Sequence, residues 1–296
     1  MREYVYSDNF AILFNFTLVS MLENTFCHIP GIGAATEKRL WDAGITSWDK
    51  WHELLSLRLP NSSRIEITKL LAESGKALNN DPSFFTSRLP SHEQWRIFPQ
   101  YRETTAYIDI ETTGLGEDAD LTTIALYDGR EVKYYVNGDN LEQFVDDICN
   151  YTVLVSYNGK SFDVPFLERY FRITLNQAQI DLRYVLARLG FKGGLKGCEK
   201  MLGIDRGDLD GVDGYFAVLL WKEYENYNDH KALETLLAYN IEDTVNLEQL
   251  MIEAYNINIA QTPFAKELKL PRPLLPRLPF QADPVCVERV KRRYGV

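Results

Sequence analysis

Residues 107–115 read YIDIETTGL. The stretch is a β-branched and aromatic run that ends in an acidic pair, Asp109 and Glu111, and it belongs to a longer strand-like segment, TTAYIDIE (104–111). Two further runs of the same kind follow, DLTTIALYD (120–128) and EVKYYVN (131–137), joined by short turn-containing connections. Alternation and β-branched residues predict three strands in an antiparallel meander. Beyond it the pattern changes to a helix around 140–150, a strand TVLVSYN (152–158), a helix around 161–171 and a short strand near QIDLRYV (179–185). Strand–helix–strand alternation implies parallel additions joined by right-handed crossovers. The expected fold class is therefore α/β, a mixed sheet flanked by helices, with the acidic pair on a central strand and a long helix over 230–254 crossing the sheet face.

Two more acidic sites accompany the pair. Asp163 lies in SYNGKSFDVPFL (156–167), just after a strand-like run, and Tyr239 and Asp243 lie in AYNIEDTVNL (238–247), a strongly helical stretch. Four carboxylates brought within a few ångströms of one another repel unless positive charge sits among them. A set of Asp and Glu without His or Cys suits Mg²⁺ or Mn²⁺, which prefer oxygen ligands, better than zinc. Two such ions roughly 4 Å apart activate an attacking water and stabilise the leaving oxygen of a phosphodiester. Phosphodiester hydrolysis is the chemistry this layout favours. Tyr239 and Asp243, four positions apart, share one helix face.

Taken singly, each residue has a structural reading. Asp109 and Glu111 are ordinary strand-end charges, Asp163 is a helix cap, Tyr239 is a core tyrosine, and Asp243 with its neighbour Glu242 is a solvated helix charge. Only together, in this order and local context, do the first four carboxylates and Tyr239 point to a site; Glu242 stays with the solvated reading.

The ordered set DIETTGL (109–115), YNGKSFD (157–163) and YNIED (239–243) resembles the three motifs of the DEDD exonucleases of the tyrosine subtype. These are RNase H-like enzymes that degrade nucleic acid from its 3′ end. LKGCEKMLGIDR (195–206), DGYFAVLLWKEY (213–224) and ALETLLAYNIEDTVNLEQL (232–250) are similar to a narrower group of RNase H-like exonucleases with a helix-hairpin-helix-like region at the N-terminus. The resemblance covers about residues 101–256. It implies an RNase H-like fold in which Asp109, Glu111, Asp163 and Asp243 hold two Mg²⁺ or Mn²⁺ ions and Tyr239 positions the nucleophilic water. It further implies that Thr112, Gly114 and Leu115 flank the terminal nucleotide, and that Asn158 and Phe162 border the substrate path. The implied activity is a metal-dependent 3′–5′ exonuclease acting on DNA or RNA with a 3′ end. A catalytically weak module that binds nucleic-acid ends and a two-metal endonuclease are the alternatives.

A chain of 296 residues with 45% hydrophobic composition is long enough for two modules. The expected division is an N-terminal extension (1–20), a helical segment (21–98), the nuclease region (101–258) and a Pro-rich basic tail (259–296). Within the helical segment, HIPGIGAATEKRLWDAGI (28–45) places Gly31 and Gly33 in a short turn that opens a helix. Backbone N–H groups there suit a nucleic-acid phosphate. The turn resembles the hairpin of helix-hairpin-helix modules, although MLENTFC (21–27) makes a poor first helix. In the extension, Glu3 and Asp8 precede a ten-residue apolar stretch, which argues against a secretory signal and is too short to span a bilayer. No membrane segment is expected elsewhere. Cys27, Cys149, Cys198 and Cys286 lack paired metal spacing, so reduced thiols and a cytoplasmic location are expected.

The formal net charge of −10 opposes a polyanionic partner, because nucleic-acid affinity rests on neutralising phosphates. Basic and acidic side chains number ten against eleven over 1–100, fourteen against twenty-eight over 101–260, and eight against three over 261–296. Acidity is therefore concentrated around the expected site, where divalent ions would offset part of it, and on stretches such as DRGDLDGVD (205–213) that are expected to lie away from the groove. Arg183, Arg188, Lys192, Lys196 and Lys200 supply local positive charge, with Lys196 among the residues expected on the substrate path. The tail, LKLPRPLLPRLPF (268–280), reads as an extended segment. It is expected to wrap the nuclease region because Leu274, Leu275, Leu278 and Phe280 require burial.

Overall fold

The structure is a computed structural model and describes residues 20–53, 64–116, 118–204 and 214–296. The N-terminal extension up to residue 19 and the acidic stretch 205–213 lie outside the described residues.

The strands are β1 (Thr105–Thr112), β2 (Leu121–Tyr127), β3 (Val132–Val136), β4 (Val153–Ser156) and β5 (Ala178–Asp181), and they form one sheet in the order β3-β2-β1-β4-β5. β1 is central, antiparallel to β2 and parallel to β4; β2 pairs antiparallel with β3, and β4 pairs parallel with β5. This is the mixed sheet expected from the sequence: a meander followed by parallel additions. The period-two alternation of β1 sorts its side chains between two faces. Ala106, Ile108 and Ile110 join one apolar cluster with Leu121, Ile124, Leu126 and Leu154, while Tyr107 joins another with Ala125, Tyr127, Val153 and Val155. Asp109 and Glu111 share the parity of Tyr107, so β1 carries its acidic pair to that second face.

Helices α1 (Ala34–Asp42), α2 (Arg64–Ala77), α3 (Pro82–Thr86) and α4 (Phe98–Tyr101) precede the sheet. Next come α5 (Gln143–Ile148), α6 (Asp163–Phe171), α7 (Leu182–Arg188), α8 (Gly194–Leu202) and α9 (Gly214–Tyr227). α10 (His230–Ile259), α11 (Ala265–Leu268) and α12 (Pro284–Tyr294) complete the chain. Phe144 of α5 and Val164, Phe166 and Leu167 of α6 cover the first face, and α10 covers the second. α10 is longer than the 230–254 span expected. Asp229 caps it, accepting from Lys231 and Ala232 N–H, and the helix continues to Ile259 because Tyr255 and Ile259 remain fully buried. At 30 residues it is about 45 Å long, enough to cross the whole sheet.

The segment MLENTFC forms only a 3-10 turn, Met21–Asn24, before the loop that leads to α1. That loop is held by the buried Glu37 carboxylate, which accepts from Phe26 N–H (2.6 Å), Cys27 N–H (3.2 Å) and the Thr25 hydroxyl (2.6 Å) and pairs with Arg96 at 2.9 Å. The apolar cluster on the α10 face runs without a break from Met21, Trp51 and Trp95 to Leu236 and Tyr255.

The tail packs through part of its length. Leu270 exchanges backbone hydrogen bonds with the Asn256 side chain, and the ring of Phe280 meets Tyr134 edge-on at 5.0 Å. α12 buries Cys286, Val287 and Val290 and pairs Arg293 with the buried Glu223 at 2.6 Å. Leu274 and Leu275 correct the sequence expectation: they are 93% and 61% exposed. The prolines on either side hold the chain extended there, so these two leucines project away from the surface that Phe280 reaches. Among the described residues, no helix is long and apolar enough to cross a membrane.

Candidate active site

The strand face and the helix that crosses it bring the acidic residues together. Asp109 and Glu111 come from β1, whose pairing with β2 shifts register between Glu111 and Thr112. Such irregularities bend a strand and re-aim its side chains. Asp163 is the first residue of α6 rather than its cap, because Phe162 occupies the N-cap position without a side-chain hydrogen bond. The Asp163 carboxyl accepts the backbone N–H of Ile110, the residue between the acidic pair, and this places it against β1. Tyr239 and Asp243, one turn apart on α10, are 3% and 4% exposed.

Electrostatics records the crowding. Burial pushes the Asp109 carboxyl well above the usual carboxylate range, and repulsion from Glu111, Asp163 and Asp243 pushes the same way, opposed by a hydrogen bond from Asn240. Glu111 is raised by burial and by Asp243 and Asp163, with Lys196 opposing. Asp163 is raised chiefly by burial, with Asp181 adding to it. Asp109 and Glu111 still keep some solvent-facing surface, which fits carboxyls on the floor of a recess. The donor set is oxygen only, buried and mutually repulsive, which is the chemistry that hard divalent cations relieve. Among the described residues, no group of three or more His, Cys, Asp or Glu side chains is arranged as a ready metal cage. The four carboxyls act on one another without three of them converging on one point.

Lys196 reaches the same place from α8: its ammonium lies 4.7 Å from the centroid of the Tyr239 ring and acts on Glu111. Arg183 donates instead to the Asn158 side chain. Thr112 is buried and donates to the Gly114 carbonyl at 2.7 Å, closing the turn after β1. At the tip of that turn Leu115 is 87% exposed. Asn158 has a left-handed backbone, φ 68°, a conformation asparagine tolerates better than most residues. The Phe162 ring packs on Phe166 with centroids 5.9 Å apart.

The loop 157–162 is shaped by two features. A Cβ at Gly159 would lie 2.1 Å from the Ser156 hydroxyl and 2.6 Å from its Cβ, so only glycine fits there. Asp181, fully buried, accepts from Asn158 N–H (2.8 Å), Lys160 N–H (3.3 Å) and Arg183 N–H (3.0 Å). The Lys160 ammonium donates to Gln94 at 2.6 Å, joining the loop to the N-terminal helices. Gly31 and Gly33 are not part of this assembly. They line a cavity of about 590 Å³ with His28, Arg88 and Pro90, and none of the four carboxylates borders it.

Sequence reasoning passed over Asp181, Thr123 and Asn240. Asp181 had a signal, since an Asp that closes a strand and precedes a helical pattern is a common cap. Asn240 stood inside the AYNIED motif, and Thr123 carried no signal at all.

The family model described as RNase_H superfamily matches residues 106–255. Compared with curated proteins, the chain finds no match. Among solved structures, the family B DNA polymerase from the hyperthermophilic archaeon Pyrobaculum calidifontis is similar at 16% identity and a TM-score of 0.39. The similarity covers 56% of this chain and 27% of that polymerase, so the chain spans about a quarter of its length.

Proposed function

Because the chain belongs to the RNase H superfamily, we propose that it is a nuclease, a 3′–5′ exonuclease in which Asp109, Glu111, Asp163 and Asp243 hold two divalent cations. The observation that carries this reading is the mutual repulsion of four carboxyls gathered between β1, α6 and α10. Repulsion of that kind is relieved when charge of the opposite sign enters the site. Mg²⁺ or Mn²⁺ fits the oxygen-only set and, when bound, supplies water activation and stabilisation of the leaving oxygen.

The chain's own residues have distinct parts in this reading. The Tyr239 hydroxyl orients the attacking water, held in place by its helix and by the Lys196 ammonium over its ring. Asp163, seated on the Ile110 N–H, and Asp243, four residues after Tyr239, approach from two other elements, so closure of the site is the docking of α6 and α10 on β1. Leu115, projecting from the turn after β1, meets the terminal nucleotide together with Thr112 and Gly114, and Asn158 and Phe162 border the strand behind it. The helical segment 21–98 is an accessory module in this scheme. Its Gly31–Gly33 turn, with Arg88 in the same cavity, offers a second contact to phosphate.

A labelled single strand incubated with Mg²⁺ or Mn²⁺ tests the reading. Stepwise shortening from the 3′ end supports it. Internal cuts indicate the endonuclease, and binding without cleavage indicates an end-binding module.

A further inference from the structure

Asn240 lies between Tyr239 and Asp243 on α10 and is fully buried. Its side-chain N–H donates to Asp109 Oδ2 at 2.7 Å, and its Oδ1 accepts from the Thr123 hydroxyl at 3.0 Å. Thr123 is also fully buried and stands opposite Glu111 in the β1–β2 register. We propose that Thr123 and Asn240 form a positioning relay that fixes the orientation of the Asp109 carboxylate for its cation. The inference rests on the metal-site reading above and adds two residues to it.

The direction of the relay follows from donor chemistry. An amide oxygen only accepts, so the Thr123 hydroxyl must donate to it. That contact turns the Asn240 amide so that its N–H faces Asp109. Flipped, the amide would set its oxygen against a carboxylate oxygen, acceptor against acceptor. Asn240 is held in turn by its own helix, where Thr244 donates to its carbonyl at 2.8 Å. With Oδ2 occupied by Asn240, the remaining lone pairs of Asp109 are left for a ligand. The relay ties β2, α10 and β1 together at Asp109.

Groups that orient metal ligands in this way typically change metal affinity by about 10–100-fold when removed. The test is Mn²⁺ binding to the full chain by calorimetry, with turnover measured across a Mn²⁺ series. Asn240→Ala should weaken Mn²⁺ binding by about 10–100-fold, while turnover recovers at high Mn²⁺ because all four carboxylates remain. Thr123→Val should weaken binding by a smaller factor and Thr123→Ser should restore it, a pair that keeps the test valid where Asn240→Ala fails to fold. Asp109→Ala is the reference: its binding should be lost and its turnover should not recover. If Asp109→Ala loses Mn²⁺ while Asn240→Ala and Thr123→Val bind as the wild type does, the relay is overturned and the metal site stands. If Asp109→Ala also binds as the wild type does, the metal-site reading falls, and the relay with it.

Discussion

The Lys196 ammonium sits over the Tyr239 ring, 4.7 Å from its centroid, and its charge reaches Glu111. One cation thus acts on both the phenol ring and Glu111, joining α8 to α10 and β1. Replacing Lys196 with Met keeps the aliphatic stem and removes the charge. The expected result is weaker substrate binding and a slower reaction, each by about tenfold, the scale of a single partly desolvated cation–π and charge contact. Steady-state kinetics on a short labelled strand measures both.

Tyr239→Phe removes one hydroxyl and leaves the buried ring and the cation above it in place. It should lower kcat by about 10²-fold or more while KM changes little, because the hydroxyl is assigned to the attacking water rather than to the strand. An equal rise in KM with kcat unchanged would reassign Tyr239 to substrate binding.

Gly159→Ala tests the loop that leads into Asp163. The new methyl collides with Ser156 Oγ and Cβ; Oγ can turn about χ1, but Cβ is fixed to the backbone. Such overpacking costs about 1–3 kcal/mol, read as a lower denaturant midpoint. Asp163 lies next in line, its Oδ2 3.6 Å from the same position, so activity should fall with stability. Ser156→Gly in the same chain should relieve both.

His28 makes stability depend on pH. Burial and the positive charges of Arg88 and Arg96 lower its pKa from 6.5 to about 3, and the ring packs against Trp48 and Phe85 while Nε2 meets Ser74 Oγ at 2.9 Å. Above pH 6.5 the ring is neutral in both states and this contribution is fully present. As the pH falls below that value, the unfolded chain takes a proton that the folded protein refuses, and stability is lost until the folded ring protonates near pH 3. The loss is ~1.4 kcal/mol per pH unit. Urea midpoints at neutral and mildly acid pH should converge for His28→Gln relative to the wild type.

Arg293 lies against the buried Glu223 and stacks on Tyr227. Arg293→Ala strands the Glu223 carboxylate, 1% exposed at its side chain, and should destabilise the protein by about 1–3 kcal/mol. Double substitution with Glu223→Gln should recover much of the loss. If the single substitution is silent, the Arg293–Glu223 pair adds nothing to the packing of α12.

The sheet was legible in the sequence because its signals are local. Alternation in 104–111 and 120–128 marks strands without reference to the rest of the chain, and the change to strand–helix spacing after residue 137 marks parallel pairing. The acidic residues and Tyr239 were legible as types in order, since a helix fixes Tyr239 relative to Asp243 whatever surrounds it. What the sequence withheld depends on register between distant elements. Thr123 matters only because β2 sets it opposite Glu111, and Asn240 only because α10 crosses β1 at Asp109. The length of α10 was underestimated because its last turns are held by Tyr255 and Ile259, whose burial depends on what packs on them. Leu274 and Leu275 misled for the opposite reason: their chemistry asks for burial, and the prolines around them deny it.

The most direct test of the proposed activity is hydrolysis of a 5′-labelled single strand by purified wild type and Asp109→Ala, with Mn²⁺ and with chelator. The wild type should shorten the strand from its 3′ end with Mn²⁺ and not in chelator, and Asp109→Ala should not shorten it at all despite an unchanged circular dichroism spectrum. Hydrolysis by Asp109→Ala at the wild-type rate, or wild-type hydrolysis undiminished by chelator, would overturn the assignment of a metal-dependent exonuclease.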